Sequence, residues 1–131
     1  VLMKIIADTS TFLAVVLEEP ERGKIIALTI GHELIAKDVL PFEIGNALSA
    51  CVRGKRLTDN EAQSAWKNTQ TIPVVLRHVN IEKALGIAFD NNIYVYDAYF
   101  IECATKLRCP LLTLDRRLQT VAKDHGVKIL E

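Results

Sequence analysis

No stretch of this 131-residue chain is apolar for the roughly 18–20 residues that a membrane-crossing helix needs, so no membrane segment is expected. The opening VLMKIIADTS has neither a secretory hydrophobic region nor a small-residue cleavage site, and is expected to form a first buried strand. No C-x-x-C pair occurs, and the three cysteines (Cys51, Cys103 and Cys109) are odd in number. That argues against a zinc site or a redox dithiol; reduced thiols in a cytoplasmic protein are the simplest account. His32, His78 and His125 lack the paired spacing of a metal site. There is no internal repeat, linker or low-complexity tract. Net charge is also missing, since 16 basic residues cancel 16 acidic ones. A protein that coats nucleic acid through bulk charge is normally basic, so any contact with RNA here must be local, with metal ions offsetting the chain's own acids.

What is present suffices for one globular domain, residues 1–131. Half the residues are hydrophobic, and the length allows a core without disulfide support. Leu2–Ala7 predicts a buried strand, Asp8-Thr9-Ser10 a capping turn, and Phe12 to Leu17 a helix that Pro20 stops. A short helix over Glu21–Gly31 precedes a strand at Glu33–Ala36. Pro41 suits the first turn of a helix from about Val39 to Arg53. Thr58-Asp59-Asn60-Glu61 has the pattern of a capping box and opens a helix toward Thr69. A strand at Pro73–Leu76, a helix at Ile81–Phe89, and a turn at Asn91-Asn92 follow. A helix then opens at Asp97 and runs to about Leu107. Last come a strand at Leu111–Leu114, a helix from Arg116 to Asp124 and a closing strand at Val127–Leu130. Strands alternating with helices predict a three-layer α/β/α domain around a mainly parallel sheet of four to five strands.

Ligands of such sheets bind beyond the carboxyl ends of the strands. Asp8 and Asp115 each fall at that end of a strand. Either could simply cap the following helix, although Thr9 and Ser10 are alternative caps that would leave Asp8 without a structural role. Glu43 is harder to explain as a surface acid. It lies within the apolar stripe Leu40, Ile44, Ala47, Leu48 and Cys51, and Asp97 heads the stripe Phe100, Ile101, Ala104 and Leu107. A carboxylate facing a core is costly unless paired or metal-bound, and no lysine or arginine lies one helical turn from either residue. Asp97 retains the alternative of a helix cap; Glu43 does not. Four carboxylates at one cleft would raise one another's pKa values and suit Mg²⁺ or Mn²⁺. Such ions generate a nucleophile from water and offset charge on a scissile phosphate.

With these positions in place, the chain resembles PIN-domain proteins, more narrowly the VapC-like toxins of toxin–antitoxin pairs. The similar segments are IIADTST, PFEIGNAL, YDAYFIECA and LLTLDRRL, followed by GVKIL, and they cover nearly the whole chain in order. The resemblance implies an endoribonuclease using Mg²⁺ or Mn²⁺, one or two ions, held by Asp8, Glu43, Asp97 and Asp115. It implies supporting roles for Ser10, Asn46 and Thr113 in orienting ligands or water. It also implies an RNA substrate, a homodimer, and a VapB-like antitoxin whose C-terminal segment lies across the active-site groove. Many relatives carry an acid where this chain has Arg117, which puts a second metal in question. Arg116 and Arg117 either contact the RNA backbone or form a solvated helix start.

Two other readings stay open. One is a different Mg²⁺-dependent phosphoryl-transfer enzyme with an aspartyl nucleophile, although Ser10 stands where that chemistry wants a second acid. The other is a non-catalytic α/β interaction module whose acids only cap helices. Tyr96 and Tyr99, beside Asp97, are expected to pack rather than stack on bases, and Trp66 likewise.

Overall fold

The computed structural model describes residues 2–131. Along the chain run β1 (Lys4–Ala7), α1 (Thr9–Val16), α2 (Arg22–Thr29), β2 (Glu33–Lys37), α3 (Leu40–Arg53) and α4 (Asp59–Thr69). They are followed by β3 (Val75–Arg77), α5 (Ile81–Asn91), α6 (Val95–Leu107), β4 (Leu111–Leu112) and α7 (Arg116–Asp124). The four strands form one sheet in the order β3-β2-β1-β4, every pairing parallel. The strand expected over Val127–Leu130 is reduced to a single bridge between Leu111 and Ile129. Two backbone hydrogen bonds, from Leu111 N to Lys128 O and from Leu130 N to Leu111 O, join it to β4, and Val127 and Ile129 pack in the core with Ile6 and Leu111.

Both faces of β1 are covered, which makes three layers. On one face Ile5 and Leu112 join Ala14 of α1 and Ile25 of α2. On the other, Ile6 and Leu111 join Ile101 of α6 and Leu118 of α7. Successive strand residues point to opposite faces, so Ile5 and Ile6 can serve both cores only in a sheet buried on both sides. Ile5, Ile6, Ile101 and Leu111 are all fully buried.

Local chemistry sets most element boundaries. Thr58 and Glu61 make the reciprocal capping box of α4. Pro41 sits in the first turn of α3. Asn92 ends α5 in the left-handed conformation, with φ 52°, which asparagine tolerates better than most residues. The strand near Pro73 starts two residues later than its apolar run suggests, at Val75, past a proline that has no N–H for a ladder bond. Among the described residues no helix is long and apolar enough to cross a membrane.

Candidate active site

The carboxyl ends of β1 and β4 carry the first half of the site. Asp8 follows β1 directly and is the N-cap of α1, its Oδ1 accepting from Thr11 N at 3.3 Å. Neither Thr9 nor Ser10 takes over as cap. Ser10 Oγ instead donates to Asp8 Oδ1 at 2.6 Å, and Thr113 Oγ1 donates to Asp8 Oδ2. Each hydroxyl also accepts a backbone N–H, Ser10 from the neighbouring strand end and Thr113 from its own segment. Ser10 takes that of Leu114 at 3.2 Å and Thr113 that of Asp115 at 3.1 Å. Asp115 caps α7 through Oδ1, accepting from Arg117 N and Leu118 N at 2.9 and 3.1 Å. Asp8 is only 6% exposed. Burial pushes its carboxyl up to about 6, opposed by the hydrogen bonds from Ser10, Thr113 and Thr11 and reinforced by the charge of Asp97.

The second half rests on two helix starts. Glu43 lies in the first turn of α3, half-buried, with Thr9 Oγ1 donating to its Oε1 at 3.1 Å. Burial raises its pKa; the Thr9 hydrogen bond and the Lys37 charge work against that, and Asp97 and Asp8 add to it. Asp97 lies in the first turn of α6, but the cap of that helix is Tyr94, which makes no side-chain capping bond. The alternative of Asp97 as a cap therefore falls. Its carboxyl is raised by burial and then by Asp115, with no hydrogen bond to lower it.

Two hollows open at these positions. One, of about 440 Å³, is lined by Thr9, Glu43 and Asn46 with the aromatic rings of Phe42 and Tyr96. The other, of about 500 Å³, is lined by Asp97, Asp115, Tyr94 and Arg117. Asn46 and Arg116 are exposed. Arg117 does not hang free: its guanidinium donates to Asn92 O at 2.8 Å and Asn91 O at 3.4 Å, where α5 ends and carbonyls lack helical partners. Tyr99 packs inward, edge-on to Tyr96 with ring centroids 5.5 Å apart. Tyr96 itself is 51% exposed.

Two contributors escape a reading of single elements. Thr9 reaches Glu43 across 34 residues of sequence. Lys37 ends β2 fully buried, its ammonium 4.2 Å from the Tyr99 ring centroid and 4.6 Å from that of Phe100. The two-residue step from Ile35 to Lys37 was the available signal, because it turns both side chains to the α6 face. Burial lowers the Lys37 pKa to about 8, and the charge of Glu43 is the strongest influence opposing that shift.

Neither ion pair among the described residues involves any of the four acids; these pairs are His78–Asp38 and Lys123–Glu131. Three of the acids feel others of the four: Asp8 feels Asp97, Glu43 feels Asp97 and Asp8, and Asp97 feels Asp115. Among the described residues no three such side chains converge into a ready-made metal cage. The donor set still fits a hard divalent ion, which takes oxygen ligands and commonly keeps several waters beside one or two carboxylates.

A PIN-domain profile matches residues 5–124. The chain belongs to the PIN-domain family. Among PIN-domain relatives, Ribonuclease VapC3 of Pyrobaculum aerophilum is 30% identical over 121 residues, spanning 88% of this chain and 92% of that protein. The PIN fold is also that of two crystal structures. PAE2754 from Pyrobaculum aerophilum aligns with a TM-score of 0.75 at 23% identity, over 98% of this chain and 90% of that one. VapBC2 from Rickettsia felis, bound to a DNA fragment from its promoter, aligns with a TM-score of 0.65 at 13% identity, over 98% of both chains.

Proposed function

We propose that this PIN-domain protein is a divalent-metal-dependent endoribonuclease, the toxin of a VapBC-type pair. The observation that carries the reading is the pair Glu43 and Asp97. Neither caps a helix, neither has a cationic partner within salt-bridge distance, and each feels other acids of the four, Glu43 the charges of Asp97 and Asp8, Asp97 that of Asp115. Acids held half-buried without a structural purpose are candidates for cation binding. Asp8, Glu43, Asp97 and Asp115 would hold Mg²⁺ or Mn²⁺, which when bound supplies an activated water and offsets charge on a scissile phosphate. Ser10 and Thr113 orient both oxygens of Asp8 toward fixed directions, and Thr9 does the same for Glu43. Arg116 is free to meet a phosphate. Arg117, already bonded to the end of α5, is better placed to shape the hollow beside Asp115 than to reach outward. Phe42, Tyr94 and Tyr96 are 77%, 83% and 51% exposed at the rims of the two hollows, and they offer faces on which unpaired bases can stack.

The name of the VapC3 relative and the VapBC2 neighbour support a VapB-like antitoxin partner, and the family pattern supports a homodimer. The helix-capping roles of Asp8 and Asp115 favour the rival reading, a non-catalytic module, for those two residues alone. Purified protein freed of any antitoxin should cleave RNA with Mg²⁺ or Mn²⁺ and stop on chelation. Asp97→Asn should abolish cleavage, a loss of at least about 100-fold, with unchanged circular dichroism. Chelator-sensitive cleavage that persists in this variant would remove Asp97 from the site.

A further inference from the structure

Burying a lysine is costly, and Lys37 is buried without any hydrogen-bond acceptor. Its Nζ and Glu102 Oε2 are the two buried side-chain polar atoms left unpartnered among the described residues. Lys37 is 0% exposed and Glu102 is 4% exposed. Two aromatic faces flank the ammonium, those of Tyr99 and Phe100 on α6. Asp38, the next residue, turns outward to His78 at 2.7 Å and gives Lys37 no partner. Glu102 is held by the backbone, its Oε1 accepting from Asn80 N at 3.3 Å.

The position of this cation is informative. Lys37 closes β2 at the sheet edge where Asp8 ends β1, and six residues later the chain presents Glu43. Tyr99, whose ring covers the ammonium, is two residues beyond Asp97 on α6. The lysine therefore lies behind the acids, on the core side. We propose that Lys37 is a positioning residue acting as a built-in counter-ion: through Glu43 it offsets part of the repulsion among the four carboxylates and holds down the pocket's affinity for divalent metal. This rests on the metal-binding reading of the pocket. Charge acts over several ångströms in a poorly screened interior, so contact with the metal is not required. Of the carboxylates acting on Lys37, Glu43 has the largest influence, ahead of Asp38 and Glu102; the Cys103 thiol, pushed up to about 11 by burial, carries no charge at pH 7.5. The consequence is a metal that exchanges instead of one bound permanently.

The test is Mn²⁺ affinity by calorimetry at pH 7.5 on the full chain, for the unsubstituted protein, Lys37→Met and Glu102→Gln. Methionine keeps the length of the side chain and suits two aromatic neighbours, so the fold is expected to hold. Glutamine keeps the acceptor for Asn80 N. Lys37→Met should bind Mn²⁺ about threefold to tenfold more tightly, as expected for removing one nearby positive charge. Glu102→Gln, which removes a negative charge from behind the lysine, should bind no more tightly and by up to about threefold more weakly. A role confined to packing would change thermal stability and leave both affinities alone. Unchanged or weakened binding by folded Lys37→Met would overturn the proposal. So would tighter binding by Glu102→Gln. Absence of Mn²⁺ binding by the unsubstituted protein would overturn the metal-dependent reading and this one together, an outcome distinct from the other two.

Discussion

The two halves of the pocket are built differently. On the β1–β4 side, Asp8 takes two hydroxyl hydrogen bonds and a backbone N–H, Asp115 takes two backbone N–H groups, and Thr113 connects the two acids. On the α3–α6 side, Glu43 has one hydrogen bond, from Thr9, and Asp97 caps nothing. The first half is set by the fold before any ligand arrives. The second holds its charges with less hydrogen-bond restraint, Glu43 through Thr9 alone and Asp97 without a bond that lowers its pKa. Stability and function are thus divided within one pocket: substitutions on the first side should change both, and those on the second mainly function.

The largest test of this division is Asp8→Asn. The folded pKa of Asp8, about 6, lies above its value in an unfolded chain, so folding favours the protonated form. Its ionisation therefore costs stability, which is fullest below about pH 4 and falls as pH rises through 6. Asparagine keeps an Oδ1 acceptor for the cap without the charge, but its amide nitrogen cannot accept from Thr113, which takes back part of the gain. The metal-free variant should be more stable at pH 7 by about 1–2 kcal/mol, with the advantage fading toward pH 4, while RNA cleavage is lost. Urea denaturation at the two pH values measures this, and equal differences at both would contradict a buried, hard-to-ionise Asp8.

Thr113→Val comes next. It deprives Asp8 Oδ2 of a donor and Asp115 N of an acceptor in a residue only 2% exposed. A loss of about 1–3 kcal/mol is expected, together with weaker cleavage. Thr9→Val, on the looser side, should cost about 0.5–1 kcal/mol because Glu43 is half-buried and can turn to water. A Thr9→Val loss matching that of Thr113→Val would erase the contrast between the halves.

The parallel α/β order and the strand-end placement of the acids follow from hydrophobic periodicity, which local sequence carries. Glu43 was legible for the same reason, since its helical face is apolar. Asp97 was half legible: its chemistry stood out, but whether Tyr94 or Asp97 starts α6 depends on how the turn after Asn92 leads into it. The expected closing strand shrinks to one bridge: Val127, Ile129 and Leu130 are apolar enough for a strand, but among the described residues Ile129 pairs with Leu111 alone. Lys37 and Thr9 acquire their meaning through contacts with α6 and α3; strand alternation carries the facing of Lys37 but not its partners, and no local pattern encodes the reach of Thr9 to Glu43.

The hydrogen bond from Thr113 to Asp8 joins residues 105 positions apart. Bonds of this span are made late when a chain emerges from the ribosome at roughly 5–20 residues per second. Asp8 and its helix can be synthesised, and β1 can pair with β2, many seconds before Thr113 exists to complete the pocket. A nascent or truncated chain lacking β4 therefore holds Asp8, Glu43 and Asp97 but neither Asp115 nor the Thr113 bond that completes the site. For the ribonuclease proposed above, that order of assembly would postpone activity until synthesis is nearly done.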